Sequence, residues 1–212
     1  MGRANAVRRL AATALVVLAT GASPAPAADA EARVQTFLEG LDTLSSPFEQ
    51  TLFDERMRRL EDSRGVMYLK RPDRFRWEYR DPFPQEIVGD GERVWIYDEE
   101  LAQVTVKAMD AAIGDTPAAL LSSTRPVAES FEVRDLGEYD ALAWVGLKPR
   151  SAEATFADIR LGFDGEELRV MELVDNFGQT TVLRLTGVER NPSLDPDLFS
   201  FTPPPGADVV GP

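Results

Sequence analysis

The amino-acid sequence predicts a mainly antiparallel β protein, and three observations lead to that class. Aromatic and charged residues alternate over 74–79, so Phe75, Trp77 and Tyr79 share one face of a strand. Turn signals such as Asp90-Gly91 recur between short apolar runs. The runs follow one another without the regular helices that connect parallel strands. We therefore expect about eleven strands in a half-buried meander.

The composition excludes several classes of site. The 212 residues include no cysteine and no histidine. A disulfide scaffold, a thiol nucleophile, a thiolate zinc site and a Ser-His-Asp triad are therefore impossible. The acid pairs and the two Asp-Gly-Glu triplets follow strand ends and lack the rest of a calcium loop, so we interpret them as solvated turns.

Residues 1–27 have the features of a signal peptide. A basic start precedes an apolar run over 10–20, and Ala25-Pro26-Ala27 suits cleavage after its last residue. The apolar run is too short to span a bilayer as a helix. We expect export by the Sec or the twin-arginine route and a single mature domain over 28–212. The alternative is that the run forms a buried core helix.

The charge of the mature chain limits its partners. Cleavage would remove three of the 23 basic residues and none of the 36 acidic ones, which changes the net charge from −13 to −16. Nucleic acids and anionic bilayers both select basic surfaces. The acidic balance instead favours solubility and docking to a basic partner surface.

Helical signals occur at two places. Residues 29–44 have apolar side chains at helical spacing and predict an amphipathic helix that ends at Ser45-Ser46-Pro47. This helix either packs as ordinary core or closes one end of the sheet, and the spacing suits both. A short apolar helix is expected within 109–123, with Pro117 at its first position. Because it interrupts a chain of strands, it should cover something.

Strands account for most of the remaining chain. The charged segment 54–64 is predicted as a solvated, mobile hairpin tip. A proline-rich tail over 191–212 should pack at its start through Phe199 and Phe201. The predicted strands outside the central meander are 48–53, 66–70, 131–136, 141–148, 157–163, 168–175 and 180–189.

Four stretches carry a resemblance to a known family. They are Gly65 with Lys70-Arg71-Pro72 and Phe75-Arg76-Trp77; Ile87-Val88-Gly89-Asp90-Gly91 with Val94-Trp95-Ile96-Tyr97-Asp98; Thr116-Pro117-Ala118-Ala119-Leu120-Leu121; and FSFTPPPGADV over 199–209. Their order and spacing extend over nearly the whole mature chain. Together they resemble the LolA family of periplasmic outer-membrane lipoprotein carriers.

The resemblance implies a fold and a task. The fold is an unclosed antiparallel β-barrel with a helical lid over a hydrophobic cavity. The task is to take acylated lipoproteins from an inner-membrane ABC transporter complex (LolCDE-like), carry them through the periplasm, and deliver them to an outer-membrane receptor (LolB-like). It further implies a monomer with no cofactor and no enzymatic activity.

The resemblance also assigns roles to residues. Arg71 matches the arginine that latches the lid by donating hydrogen bonds to lid backbone carbonyls, for which a guanidinium offers five donors. Considered alone, each of the other candidates suits an ordinary core equally well, and either face of the strand around Trp95 could look inward. The other expected cavity and lid residues are Phe75, Trp77, Tyr79, Trp95, Tyr97, Leu41, Leu120 and Leu121.

Two other functions compete with the carrier. One is an exported lipid- or lipoprotein-sensing module that regulates a membrane partner; capture of that partner without cargo would favour it. The other is a lipid hydrolase, which the missing histidine and the missing Gly-x-Ser-x-Gly motif disfavour.

Overall fold

A computed structural model describes residues 26–109, 117–152 and 154–211. The predicted signal peptide lies outside these residues except for its last two positions, so its cleavage stays a prediction. Three α-helices and thirteen strands have their bounds within these residues. The helices are α1 (Pro26–Leu38), α2 (Pro117–Ser122) and α3 (Val127–Ser130).

The strands occupy more of the described chain than any other element. The two longest, β1 and β2, begin five and seven residues earlier than predicted, and two short strands were not expected. They are β1 (Thr43–Phe53), β2 (Arg59–Lys70), β3 (Arg74–Asp81), β4 (Gln85–Asp90), β5 (Arg93–Asp98), β6 (Gln103–Ala108), β7 (Phe131–Tyr139), β8 (Leu142–Pro149), β9 (Phe156–Asp164), β10 (Glu167–Asp175), β11 (Thr180–Leu185), β12 (Glu189–Arg190) and β13 (Asp208–Val210).

All thirteen strands belong to one open sheet, which confirms the predicted unclosed, mainly antiparallel β architecture. The order is β13-β6-β5-β4-β3-β2-β1-β11-β10-β9-β8-β7, with β12 paired to β1 beside this path. Every pairing is antiparallel except the parallel pair of β13 with β6. The count exceeds the expected eleven because β12 and β13 contain only two and three residues, too few to leave a pattern.

The first helix ends earlier than predicted, and this corrects the expected boundary at residue 44. Gly40 adopts the left-handed conformation with φ of +62°, as is common directly after a helix. The chain then turns through Leu41 and enters β1 at Thr43. The leucines at 41 and 44 therefore match helical spacing by coincidence, although both are buried.

Pro47 lies inside β1 instead of ending the helix, because the neighbouring strand is interrupted beside it. β11 pairs with Phe48 to Phe53, and β12 pairs only with Leu44 and Ser45. Between these two pairings the Pro47 carbonyl accepts a hydrogen bond of 3.0 Å from the backbone N–H of Thr186. A proline lacks an N–H group, so an irregular position of this kind is where a strand tolerates it.

The hairpin tip between β1 and β2 is shorter and more ordered than expected. Asp54 accepts hydrogen bonds from the backbone N–H groups of Arg56 and Arg58, at 2.9 and 2.8 Å. The backbone bond from Arg58 is the largest cause of a lowered pKa at Asp54, and burial opposes it. The charged residues that follow form the first half of β2 rather than a loose connection.

Both faces of the sheet are partly buried, by different parts of the chain. On the inner face α1 packs on β7 and β8, and α2 packs on β2 and β3. On the outer face the tail crosses β3 and β4 through a 3-10 turn, Pro196–Phe199, before joining β6 as β13. Within the described residues, no helix has the length and hydropathy needed to cross a bilayer.

Candidate functional site

The inner face of β3 provides an aromatic wall, as its alternation predicts. Phe75 and Trp77 are 0% and 4% exposed, and both belong to the main core cluster. The Phe48 ring on β1 lies 5.1 Å from Trp77 and 5.2 Å from Tyr79, with the Tyr79 pair edge-to-face. These contacts join β1 and β3 across the intervening strand β2 into one apolar surface.

Tyr79 ends the aromatic wall with a polar group. Its hydroxyl donates a hydrogen bond of 2.9 Å to Oε1 of Gln50. Burial raises the pKa of Tyr79 to about 12, and the hydrogen bond to Gln50 opposes part of this shift. The phenol therefore stays neutral throughout the physiological range, which suits a wall that faces apolar groups.

The helices cover this surface with large apolar side chains. Leu120 and Leu121 of α2 are 6% and 2% exposed, and Leu41 is equally buried in the turn after α1. Phe37 near the end of α1 packs edge-to-face on Phe163 of β9, with ring centroids 5.9 Å apart. The structure thus places the three expected leucines at the interface between helices and sheet; a lipid path there remains a proposal.

Arg71 connects two parts of the helical cover to the sheet. It follows β2, and its Nη1 donates to the carbonyl of Leu38 at 2.6 Å while its Nη2 donates to the carbonyl of Ser123 at 2.7 Å. The first carbonyl ends α1 and the second follows α2, where backbone acceptors lack helical partners. The backbone N–H of Asp73 adds a bond of 3.1 Å to Ser122.

The Arg71 guanidinium is only partly satisfied. Burial lowers its pKa, and the carboxylates of Asp42 and Asp73 oppose that shift. An arginine remains charged at physiological pH despite such a change. Its Nε is buried with no hydrogen-bond partner among the described residues. A buried donor without a partner costs free energy, which reduces the net stability that the bridge contributes.

Trp95 and Tyr97 lie on the outer face, which corrects the expectation that they line the cavity. Their neighbours on β5, Val94 and Ile96, are the residues that contact the main core. The Trp95 and Tyr97 rings instead pack on Phe201 of the tail, with centroids 5.7 and 6.0 Å away. Strand alternation predicts that the two aromatics share a face, but both faces of β5 are covered here.

Three residues in or bonded to the helical cover were not singled out from the sequence. They are Phe37, Arg190 and Asn191. The first is one of several apolar residues in a helical pattern, and nothing local distinguishes it. Arg190 and Asn191 lie where the proline-rich tail begins and show no periodic signal, yet they bond to the end of α1 and to the turn after it. Only the pairing of β12 with β1 places them there.

A polar cleft of about 500 Å³ lies beside the Arg71 bridge and differs from the apolar face. It contains both basic and acidic side chains and is unsuited to an acyl chain. In the part of the chain that the structure describes, no three carboxylates are grouped as a metal site would require. The cleft is lined by Lys70, Arg71, Pro72, Asp73, Arg74, Asp90, Gly91 and Glu92.

Comparison with known proteins matches most of the chain to one family. Residues 39–202 match the family described as "Outer membrane lipoprotein carrier protein LolA". This range begins in the turn after α1 and includes every strand except β13. Arg71, Ser123 and the aromatic wall therefore lie within the matched region, and Leu38 lies one residue before it.

Two relatives and one solved structure illustrate the similarity. "Outer-membrane lipoprotein carrier protein" of Dechloromonas aromatica (strain RCB) is 46% identical over 179 residues, 84% of this chain and 86% of the relative. The protein of the same name from Nitrosospira multiformis is 46% identical over 178 residues, with the same coverage. A DUF1329 family protein from Desulfovibrio piger shares the fold alone, with a TM-score of 0.51, 9% identity, and coverage of 82% of this chain and 97% of that one.

Proposed function

Because this chain belongs to the LolA family of outer-membrane lipoprotein carrier proteins, we propose that it carries the acyl chains of lipoproteins through the periplasm to the outer membrane. The cargo is an acylated lipoprotein, and the protein acts as a chaperone for its lipid. It is not an enzyme, needs no cofactor and works as an exported monomer. Cleavage of residues 1–27 would release the mature chain into the periplasm.

The observation that carries this proposal is an apolar sheet face that the helices cover with leucine side chains. Moving an acyl chain of about 16 carbons from a membrane into water costs roughly 13 kcal/mol, so a carrier must enclose the chain in apolar surface. Phe75, Trp77 and Phe48 form such a surface. In the closed form, Leu120 and Leu121 occupy the adjacent space.

Loading then exchanges one set of apolar contacts for another. An acyl chain that enters between helices and sheet replaces the packing of Leu120 and Leu121, which limits the hydrophobic cost of opening. The polar cost is the Arg71 bridge, whose two charged hydrogen bonds are worth about 1.5–3 kcal/mol each, and less where water competes. Reformation of that bridge in the empty protein favours release of cargo.

The donor and acceptor membranes require partners. We propose an inner-membrane ABC transporter complex of the LolCDE type as the source, and an outer-membrane receptor of the LolB type as the acceptor. The excess of 36 acidic over 23 basic residues in the chain suits docking to basic surfaces of either partner. It also reduces nonspecific adsorption to anionic membranes during transit.

The test mixes the purified protein and ATP with inner-membrane vesicles that contain such a transporter. We expect a soluble complex of protein and lipoprotein, and none without ATP. Leu121→Glu places a charge on the inner face and should abolish the complex, whereas Leu101→Glu changes a leucine that is 69% exposed and should not.

Two outcomes would reject the carrier. One is lipoprotein that stays in the membrane fraction although the added protein is folded. The other is isolation of the protein with a membrane-anchored regulator and without cargo, which would support the sensing module instead.

A further inference from the structure

A second arginine holds the end of α1 from the side opposite to Arg71. Arg190 of β12 donates from Nη1 to the Phe37 carbonyl at 2.7 Å and from Nη2 to the Glu39 carbonyl at 3.2 Å. Its guanidinium also lies over the Phe37 ring, 5.3 Å from the centroid. Carbonyls at a helix end attract cations, and an aromatic face adds to that attraction.

Asn191 extends this attachment into the turn that follows α1. Its side-chain amide donates to the Gly40 carbonyl at 2.8 Å. Its Oδ1 accepts hydrogen bonds from the backbone N–H groups of Asp42 at 2.8 Å and Thr43 at 3.3 Å. Arg190 at the end of β12 and Asn191 directly after it therefore satisfy the hydrogen bonds of five backbone groups between Phe37 and Thr43.

The two attachments differ in what they join. Arg71 bridges the end of α1 to the segment after α2. Arg190 and Asn191 bond to the end of α1, to the turn after it and to the start of β1, and none of these bonds involves the α2 segment. If the Arg71 bridge breaks, α1 keeps its bonds to β12, while Ser123 loses its guanidinium partner. The break therefore removes one attachment of the α2 segment, where the bond from Asp73 to Ser122 remains, and leaves the end of α1 bonded to Arg190.

We propose that Arg190 and Asn191 are positioning residues that keep the end of α1 on the sheet while the cover opens on the α2 side alone. The cover then has a fixed part, α1 with Phe37, and a movable part around α2. Because α2 packs on β2 and β3, its departure uncovers the wall of Phe75 and Trp77. An acyl chain would then enter on the α2 side. This consequence for cargo rests on the proposed function.

Amide hydrogen exchange of the purified protein without cargo tests the proposal directly. Arg71→Leu should make the amides of 117–125 exchange about tenfold faster and leave those of 31–39 within about threefold of the wild type. Arg190→Leu should accelerate 31–39 by about tenfold. Arg190→Lys should give an intermediate rate, since an ammonium lacks the planar fork that reaches two carbonyls.

Matched controls come from the far side of the sheet. Asn176→Ala removes a side-chain amide that donates to the carbonyls of Ala154 and Thr155, away from the helices. Arg160→Leu removes an arginine that pairs with Asp158 and Glu172. Neither control should change exchange over 31–39, and this separates a local role of Arg190 from a general loss of stability.

Two results would overturn the proposal. One is unchanged exchange over 31–39 in both Arg190 variants. The other is joint acceleration of 31–39 and 117–125 by Arg71→Leu, which would mean that the cover opens as one body. If Arg190→Leu does not fold, the lysine variant and the Arg71 variant still give these results.

The exchange experiment needs no cargo, so its failure is distinct from failure of the carrier function. A wild-type protein that solubilises no lipoprotein would reject the carrier and leave the exchange pattern intact. Conversely, a working carrier whose cover opens as one body would reject only the fixed role of α1.

Discussion

The inner and outer faces of β3, β4 and β5 are both buried, but different kinds of structure cover them. On the inner face, Phe75 and Trp77 lie beneath helices attached by apolar packing and by side-chain hydrogen bonds, those of Arg71 and Arg190 among them. On the outer face, Phe201 packs on Trp95 and Tyr97, and the tail then joins the sheet as β13. One cover rests on the sheet, and the other is part of it.

This difference teaches that burial by itself does not identify a binding face. Val88 on the outer face and Phe75 on the inner face are equally inaccessible, at 0% exposure. What separates the faces is the cost of removing each cover. A six-residue helix such as α2 has little stability of its own, so its place on the sheet depends on its packing and hydrogen bonds. Removal of the tail breaks a strand pairing and an aromatic cluster together.

The largest loss of stability is expected from a substitution that leaves a cavity in the inner face of the sheet. The Phe75 ring packs so closely on Gly89 that a methyl group there would lie 2.5 Å from it. Phe75→Ala should therefore lower the free energy of unfolding in urea by about 3–5 kcal/mol. Phe177→Ala is the control, since that ring is 85% exposed and should change stability by about 0.5 kcal/mol at most. A loss below about 1 kcal/mol at Phe75 would contradict a close-packed inner face.

The next largest effect is expected from loss of the Arg71 bridge, which should impair cargo handover more than folding. Arg71→Leu should still accept lipoprotein but slow its handover to outer-membrane vesicles by about 10- to 100-fold, because the closed empty form is lost. Arg71→Lys should restore only part of the rate. Arg80→Leu is a suitable control, since Arg80 pairs with Glu78 on the outer face of β3. Normal handover by Arg71→Leu would return Arg71 to the role of a surface arginine.

The outer cover should affect stability without affecting handover. Phe201→Ala removes one ring from the cluster with Trp95 and Tyr97 and should cost about 1–2 kcal/mol of unfolding free energy, because Phe201 is only half-buried. The measurement is urea unfolding together with the handover assay on the same sample. A proportionate fall in handover would show that the two faces are coupled, so that the outer cover does not act on stability alone.

The smallest expected effect is on the pH dependence of stability, through Asp90 on the outer face. Burial raises the pKa of Asp90, but hydrogen bonds from the Trp95 indole and the backbone N–H groups of Arg93 and Glu92 outweigh it, so the pKa is lowered. A lowered pKa stabilises the fold above the unfolded value of 3.8, and this stability is lost as pH falls through the folded value.

Asp90→Asn should therefore reduce the difference in stability between neutral pH and about pH 3 by about 1 kcal/mol or less, since Asp90 is partly exposed. Urea unfolding at both pH values measures it. An unchanged or larger difference in the variant would mean that these hydrogen bonds do not favour the carboxylate.

Much of the fold was predictable because it depends on neighbours in the chain. Alternation placed Phe75, Trp77 and Tyr79 on one face, and the structure confirms this. The hairpin at Asp90-Gly91 formed as expected, since the Asp90 carboxylate accepts the backbone N–H groups beyond it. The first position of α2 at Pro117 was also correct. Each of these features involves residues only a few positions apart.

The structure corrected the features that depend on distant contacts. The pattern at Trp95 and Tyr97 has a period of two, which separates the faces of a strand but is the same whichever face is inside. The tail decides the matter through Phe201, more than a hundred positions later. Likewise, the apolar spacing predicted that the first helix extends to residue 44. In the structure it ends at Leu38, where Gly40 and the contacts of Asn191 stop it.

The fold class, the family, the aromatic wall and the position of Arg71 at a turn were predictable, because period, turn chemistry and motif order are local. The face that the helices cover, the carbonyls that Arg71 reaches and the contact of Arg190 with α1 became known from the folded structure. The bond from Arg190 to Phe37 joins residues 153 positions apart. Such a contact exists only after the sheet has brought β12 beside β1, so no local pattern specifies it.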